Sequence, residues 1–470
     1  MSSPYFDYVQ NLSQESPGPS LLFEFLRGSC LQPEVEQLGC NIASLEFYED
    51  GVTEYSRLNA EKLASQISRY AKHDTASKAV GLCVLVEDVR PDVVEILGGA
   101  FDINPNFFGE HIEKSFVEIE RNPPSSLMTS LPTRVGSEGF VNIHYQRPIN
   151  LGDTDTHSDF PYEIYLRNKV TRPGRCLPAL FGKRIGFIRS CFSMLHKRIN
   201  DDRWICLMLM DSLSADVMGH LSADDNVLRD EFRVRQVPYR RRKNQNRLVA
   251  FSEFQTASPS KEVRPMSMLD EVAMLIQECT QASKQLPSTY DISILAVGPI
   301  KLIIDEWLTY SLIMGRYVKA YEYSIKNVRD RLCKFDSVDI LELYRWRRRS
   351  QQSLYKLNVL RHFAEFYAST DGNNHGNNLH EGLARDISYV IGQINQNGKA
   401  LEAMMPIMTS IIQLLDSRRS TIESIYVKRL AYPPLVFLLP SLVTSLFNMS
   451  EPFSITSSNS WIYIVVAMII

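Results

Sequence analysis

The chain has 470 residues, which is too many for one ordinary globular core, so two or three domains are expected. Its 51 basic and 54 acidic residues nearly cancel, and this balance gives no reason to expect a nucleic-acid partner. The eight cysteines form neither a CxxC pair nor a Cys/His cluster with zinc spacing, which favours a reducing compartment over a disulfide scaffold.

The N-terminal half predicts a leader followed by an α/β domain. Residues 1–79 are expected to be a mixed leader with a helix near Ala60–Tyr70, and the first twenty residues lack the features of a signal peptide or presequence. In the interval 80–215, KAVGLCVLVED (78–88) followed by Pro91 predicts a strand that leads into a helix. Two further strands are predicted in the same interval, at 139–148 and 203–212.

The C-terminal half predicts helices. Residues 216–265 are charged and irregular, which indicates a linker or an insertion. Residues 266–429 are expected to form a helical bundle and a stalk, and helical periodicity runs through 266–286, 297–330, 338–369 and 379–447. The stretch TDGNNHGNN (370–378) suits a turn between the last two helices.

The last predicted helix carries a seven-residue apolar repeat. Position a of this heptad is apolar throughout, at Ile387, Ile394, Leu401, Met408, Leu415 and Ile422. Position d is apolar at Val390, Met404, Ile411 and Ile425 and polar at Asn397 and Arg418. A repeat sustained over this length predicts a helix that packs against other helices along its whole length.

Two apolar runs end the chain. Leu430–Phe447 contains no charged residue, and at eighteen residues it is just long enough to cross a bilayer. Trp461–Ile470 is about half a span, so we expect a membrane hairpin whose second leg is incomplete in this chain. Arg418, Arg419, Lys428 and Arg429 precede the first run, whereas 448–460 has no Lys or Arg, which predicts a cytosolic N-terminal part.

Motifs of enzyme chemistry are missing from the sequence. It contains no GxSxG, HExxH, Walker or GxGxxG pattern, and we expect neither an enzyme nor a bound cofactor. Asp155, His157 and Asp159 alternate in DTDTHSDF, a spacing that is compatible with metal binding but that is also common in polar loops.

Three stretches together resemble the CorA-like divalent-cation transporter superfamily, and they are most similar to its divergent fungal members. The most specific stretch is 414–450, which contains DSRRS and then the first apolar run. The second is 460–470, similar to the start of the family's second span, and the third and weaker one is 84–112. The resemblance implies a cytosolic α/β domain, a helical stalk, a two-helix membrane hairpin and assembly as a homopentamer.

The resemblance also implies a site. The family's first span lines a pore for Mg²⁺ or a related divalent ion and ends in Gly-Met-Asn, where this chain has Asn448, Met449 and Ser450. Ser441 and Thr444 correspond to pore-lining hydroxyl positions, and Glu451 is placed to attract cations outside the mouth. The implied partners are therefore the lipid bilayer, further copies of the chain and the transported cation.

Each of these residues has an alternative role. Asn448 and Ser450 also suit the end of a membrane helix where water begins, and Ser441 and Thr444 also suit bonds to the carbonyls four residues earlier. The altered Gly-Met-Asn motif further allows a non-conducting, membrane-anchored relative whose cytosolic domain binds partners. A soluble signalling protein with a buried C-terminal hairpin is a third possibility.

Overall fold

The computed structural model describes most of the chain in separate ranges. These are residues 3–15, 19–31, 40–51, 53–71, 79–113, 139–152, 161–168, 170–177, 184–200, 203–212, 218–221, 231–233, 235–236, 267–282, 290, 292–326, 337–370, 376–448, 458, 461, 462 and 465. The chain divides into two compact units. Unit 1 consists of Met1–Lys319 and Arg348–Gly398, and unit 2 consists of Ala320–Arg347 and Lys399–Ile470.

The first part of unit 1 alternates helices with strands. In chain order its elements are α1 (Pro4–Glu15), α2 (Ser20–Leu31), β1 (Asn41–Tyr48), β2 (Thr53–Leu58), α3 (Ala60–Ala71), β3 (Ala79–Glu87), α4 (Pro91–Phe101) and α5 (Pro105–Ile112). The strands that follow are β4 (Phe140–Gly152), β5 (Pro161–Tyr165), β6 (Thr171–Cys176), β7 (Arg184–Asn200), β8 (Arg203–Met210), β9 (Met218–Leu221), β10 (Glu231–Arg233) and β11 (Arg235–Gln236).

All eleven strands belong to one mixed sheet. Its main path runs β10-β9-β5-β6-β7-β8-β3-β1-β2, and β4 pairs with both β7 and β11. Among these pairs β3 with β8 is parallel and the others are antiparallel. Every residue of β3 is buried, and so is nearly all of β8, as expected for central strands that are covered on both faces. The α/β class predicted for this region is therefore confirmed.

The segment that the sequence assigned to a leader is part of this fold. The strands β1 and β2 extend the sheet beyond β3, and the register pairs Leu45 with Cys83 and Ile42 with Leu58. On α1, the buried Tyr5 hydroxyl donates a hydrogen bond of 2.9 Å to the carbonyl of Ile103. The predicted helix at 60–70 is observed as α3.

Four helices complete the described chain. They are α6 (Met268–Ala282), α7 (Ile292–Lys326), α8 (Ser337–Thr370) and α9 (Gly376–Asn448), which match the four predicted helical segments to within a few residues. The interval 216–265, expected to be a linker or an insertion, contributes β9, β10 and β11 to the sheet. Asp155, His157 and Asp159 lie outside the described residues.

The heptad of α9 is covered by the chain only in its first part. Ile387, Val390 and Ile394 are buried in unit 1, and Leu401, Met404 and Met408 are buried in unit 2. Further along, Ile422 and Ile425 are about half exposed. The packing that the repeat predicts is therefore observed up to Met408. Beyond it, Ile411 and Leu415 are partly buried and the stripe is exposed from Ile422 onward.

Of the helices that the structure describes, none has both the length and the apolar character needed to cross a bilayer. The membrane hairpin at 430–470 stays a prediction. Most of its second leg, 461–470, lies outside the described residues.

Candidate functional site

The residues predicted to form a pore lie at the C-terminal end of α9. Ser441, Thr444 and Asn448 belong to its last turns, and the side chains of Thr444 and Asn448 are outside the described set. Met449, Ser450 and Glu451 lie beyond the described residues. The geometry of the predicted mouth therefore remains a prediction, and Ser441 is the member of the set whose contacts are described.

Ser441 bonds to its own helix. Its Oγ is exposed and donates to the carbonyl oxygen of Phe437 at 2.7 Å. This is the bond to the carbonyl four residues earlier that was the alternative to a pore-lining role. The bond uses the single hydroxyl proton. Because a hydroxyl oxygen also has two lone pairs, Ser441 can still accept a hydrogen bond from a water molecule around a passing cation.

The helix around Ser441 carries a long apolar tract, defined here as Leu430–Leu442. Seven of its large side chains are exposed, with 72% of Leu430 and 69% of Phe437 accessible, together with Tyr432, Leu435, Val436, Leu438 and Leu442. An apolar patch of this extent on a protein surface is typical of a site that contacts lipid or another protein.

Prolines change the backbone chemistry of the same tract. Pro433, Pro434 and Pro440 lie inside α9. Proline has no N–H, so the intrahelical donor for the carbonyl four residues earlier is missing. The carbonyls concerned belong to Arg429, Leu430 and Val436. The tract therefore combines apolar side chains with backbone oxygens that lack their usual helical donor.

A second polar centre, the Asp211 cluster, is buried in unit 1. Asp211 follows β8 directly and is fully buried, as is Arg172 of β6. The guanidinium of Arg172 donates to both carboxylate oxygens of Asp211 at 2.9 Å, in a bidentate ion pair. The backbone N–H of Cys191 on β7 donates to the same carboxylate at 2.7 Å. Three strands are thus joined at one buried charge.

Arg172 also fixes the end of α5. Its remaining N–H groups donate to the carbonyl of His111 at 2.6 Å and to that of Glu113 at 2.8 Å. Helix C-terminal carbonyls lack intrahelical donors, so a cation placed there satisfies them and complements the helix dipole. The Asp211 cluster therefore locks α5 onto the sheet.

Two titratable groups of the Asp211 cluster, His111 and Cys191, are held in their neutral forms. Burial lowers the pKa of His111 to about 4, although Asp211 acts in the opposite sense. Burial raises the pKa of the Cys191 thiol to about 12, which leaves it protonated and unreactive at neutral pH. His111 Nδ1 and Ser193 Oγ share a hydrogen bond of 2.8 Å. These features support a structural role for the cluster.

Lys356 on α8, beside the Asp211 cluster, is expected to make the free energy of unfolding depend on pH. Burial, and then the charge of Arg189, lower the pKa of Lys356 to about 7. An unfolded lysine titrates near 10.4, so between about pH 7 and pH 10 the unfolded state binds more protons and stability rises with pH. We expect Lys356→Met to reduce this rise by on the order of 1–2 kcal/mol between about pH 7.5 and 9.5.

Urea unfolding followed by tryptophan fluorescence at the two pH values measures this effect. Lys301→Met on α7 is the matched control, because Lys301 is exposed and its replacement is expected to leave the slope unchanged. An equal slope in the wild-type chain and Lys356→Met would show that Lys356 is not the group responsible.

The described residues hold no group of three or more His, Cys, Asp or Glu side chains that could bind a metal ion. The sequence predicted functional residues in the C-terminal segment, and it gave no prediction of the Asp211 cluster. One indication was available, because Asp88 and Asp211 each directly follow a buried apolar strand. Their neighbours Arg172 and His111 come from distant segments that no local pattern connects.

Comparisons with known proteins give weak structural likenesses and no sequence match. No protein-family model and no curated protein sequence matches the chain. The complete structure of the CorA magnesium transporter from Methanocaldococcus jannaschii is 9% identical, with a TM-score of 0.38 over 91% of this chain and 94% of that chain. The soluble domain of CorA from the same organism is 10% identical, with a TM-score of 0.35 over 79% and 97%. Both likenesses are too weak to support an inference about function.

Proposed function

We propose that the chain is one subunit of a CorA-like, homopentameric membrane protein that lets Mg²⁺ or a related divalent cation pass through a gated pore. The observation that carries the proposal is the apolar tract at the end of α9, where seven large side chains are uncovered in a segment without charge. The sequence resemblance at 414–450 supports the same assignment.

The apolar tract is costly in water. Exposed apolar surface costs roughly 25 cal/mol per Å², so the seven uncovered large side chains favour burial in lipid or against other copies. The heptad stripe supports coverage by other copies, because it continues through Ile422 and Ile425 beyond the part that the chain itself covers. Arg418, Arg419, Lys428 and Arg429 come just before the tract, where the positive-inside rule places the cytosolic surface.

The oxygens of this segment suit a hydrated cation. Mg²⁺ loses its water molecules reluctantly, so a pore can hold the hydrated ion through hydrogen bonds from those waters. In this proposal Ser441, Thr444 and the carbonyls left without donors by proline accept these bonds, and rings of Asn448 and Ser450 form the mouth with Met449 between them. Glu451 concentrates cations outside it. Neutral oxygens bind weakly enough for release, which conduction requires.

Mg²⁺ entry into liposomes tests the proposal. The full-length chain, reconstituted with a Mg²⁺-sensitive dye inside, is expected to give a flux above that of empty vesicles. The double variant Asn448→Gly with Ser450→Asn restores the family motif, and a carboxamide reaches further and accepts better than a hydroxyl. We expect it to conduct more, by about tenfold if one hydrogen-bonding contact of roughly 1.4 kcal/mol is gained.

The second candidate function is a membrane-anchored relative that does not conduct and whose cytosolic domain binds partners. The replacement of Gly-Met-Asn by Asn448, Met449 and Ser450 favours it, because a ring of serine hydroxyls is wider and weaker than a ring of carboxamides. If the motif variant passes Mg²⁺ and the wild-type chain passes none, the anchored relative is the correct assignment. If neither passes any divalent cation, the pore is excluded.

A further inference from the structure

A groove between the β1–β2 hairpin and α3 has a volume of 530 Å³ and is independent of the proposed pore. Polar and charged side chains dominate its lining. The hairpin contributes Glu46, Tyr48, Glu54, Ser56 and Leu58, and α3 contributes Glu61, Lys62, Ser65, Gln66 and Arg69. The volume lies within the range of ligand pockets for small organic molecules and far exceeds that of a single ion.

Two carboxylates face each other on the hairpin side of the groove. Glu46 and Glu54 are directly opposite in the β1–β2 register, an arrangement in which like charges destabilise the pair. The hydroxyl of Tyr48 lies between them and donates to Glu46 at 2.8 Å and to Glu54 at 3.2 Å. The two carboxylates thus share the hydrogen bond from one phenol proton. Burial, followed by these two carboxylates, raises the pKa of Tyr48, so the proton stays on the phenol.

Gln66 packs behind the two carboxylates. Its side chain is only 6% exposed, and its amide nitrogen donates to Ser44 at 3.1 Å and to Glu46. Its Oε1 is buried and has no accessible surface toward the groove. The acceptors on this side of the groove are therefore the carboxylate oxygens of Glu46 and Glu54, which suit a ligand with several N–H groups.

The α3 side of the groove carries two cations and one carboxylate. Lys62 and Arg69 line it two turns apart and are exposed, and Glu61 lies next to Lys62. Among the described residues, neither side chain forms an ion pair with a carboxylate. A bare metal ion would be repelled by these two cations, and a simple anion would be repelled by Glu46 and Glu54. A ligand with one charge of each sign is complementary to both sides.

We propose that this groove binds a small zwitterion of the amino-acid type. Its ammonium group lies against Glu46 and Glu54, and its carboxylate lies against Lys62 and Arg69. Charge-assisted hydrogen bonds of this kind are about twice as strong as neutral ones, and the oxygens of two carboxylates provide enough acceptors for the N–H groups of an ammonium.

Calorimetric titration of the full-length chain with each of the twenty L-amino acids tests the proposal. We expect at least one of them to bind at concentrations below about 10 mM. The N-acetyl derivative and the primary amide of that amino acid each remove one charge and are expected to bind at least about tenfold more weakly. Titration with MgCl₂ provides the comparison with a metal ion.

Two exposed residues allow the sides of the groove to be tested separately. Glu54→Gln is expected to weaken binding of the amino acid and of its amide by about tenfold. Arg69→Gln should weaken the binding of the amino acid by a similar factor and leave the binding of its amide unchanged. Glu49→Gln, on the same hairpin but outside the groove lining, is the matched control and should bind like the wild-type chain.

Three results would overturn the proposal: no amino acid binds, the N-acetyl derivative binds as tightly as its parent, or Mg²⁺ binds in a manner that Glu54→Gln abolishes while no amino acid competes with it. The variants are exposed, and an unchanged thermal unfolding midpoint confirms that a loss of binding does not reflect a loss of fold.

Discussion

Asp211→Asn is expected to lower the free energy of unfolding of the α/β unit by about 3–5 kcal/mol. The reason is the arrangement around this carboxylate, which accepts two hydrogen bonds from Arg172 and one from the backbone of Cys191, all in full burial. Asparagine leaves the Arg172 charge buried without a counter-charge, and its amide nitrogen cannot accept the bonds that the carboxylate oxygen accepted. The loss should be measurable as a lower midpoint in urea unfolding.

Glu381→Gln is the matched control. Glu381 forms an ion pair with Arg385 four residues later, both side chains are more than half exposed, and a pair of this kind contributes about 0–1 kcal/mol.

The double variant Arg172→Met with Asp211→Leu should be less destabilised than the sum of the single changes, because no charge is then left unpaired. If Asp211→Asn is no worse than Glu381→Gln, the Asp211 cluster does not hold the sheet and α5 together.

Phe437→Arg is expected to release the chain from membranes. Phe437 lies near the middle of the apolar tract and is 69% exposed. An arginine at the centre of a bilayer-spanning helix costs about 2.5–3.5 kcal/mol on the insertion scale, which corresponds to a shift on the order of a hundredfold in partition. The fraction of the chain that stays in the membrane pellet after a carbonate wash measures this shift.

Tyr323→Arg provides the comparison, because Tyr323 on α7 is equally exposed at 69% but lies outside the tract. It is expected to leave the pellet fraction unchanged. A wild-type chain that carbonate removes completely, or a Phe437→Arg variant that stays in the pellet as the wild-type chain does, would mean that the tract contacts protein and not lipid.

The helices and strands that were predicted correctly are those whose apolar residues form a continuous run or a regular repeat. The buried apolar runs of β3 and β8 and the continuous repeat of α9 are recognisable because their side chains face the same kind of surroundings at each repeat. The break predicted at 370–378 from its glycines and asparagines falls between the end of α8 at Thr370 and the start of α9 at Gly376.

Other elements depend on contacts that a single sequence does not reveal. The strand β7 contains Arg189 and Ser193, which look like surface residues but are buried among groups from other strands and helices. The β1–β2 hairpin has a weak pattern and is placed by its pairing with β3. The Asp211 cluster joins residues that are up to 100 positions apart, so long-range folding and not local propensity determines it.

Both candidate functions require that Leu430–Leu442 lies in lipid, and the solution behaviour of the purified full-length chain tests this requirement most directly. Sedimentation with and without detergent gives the mass of the particle in each case. We predict that the chain stays dispersed only with detergent and that the particle then contains several copies of the 53.8 kDa subunit. A stable monomer of that mass in detergent-free buffer would contradict both the proposed pore and the membrane-anchored alternative.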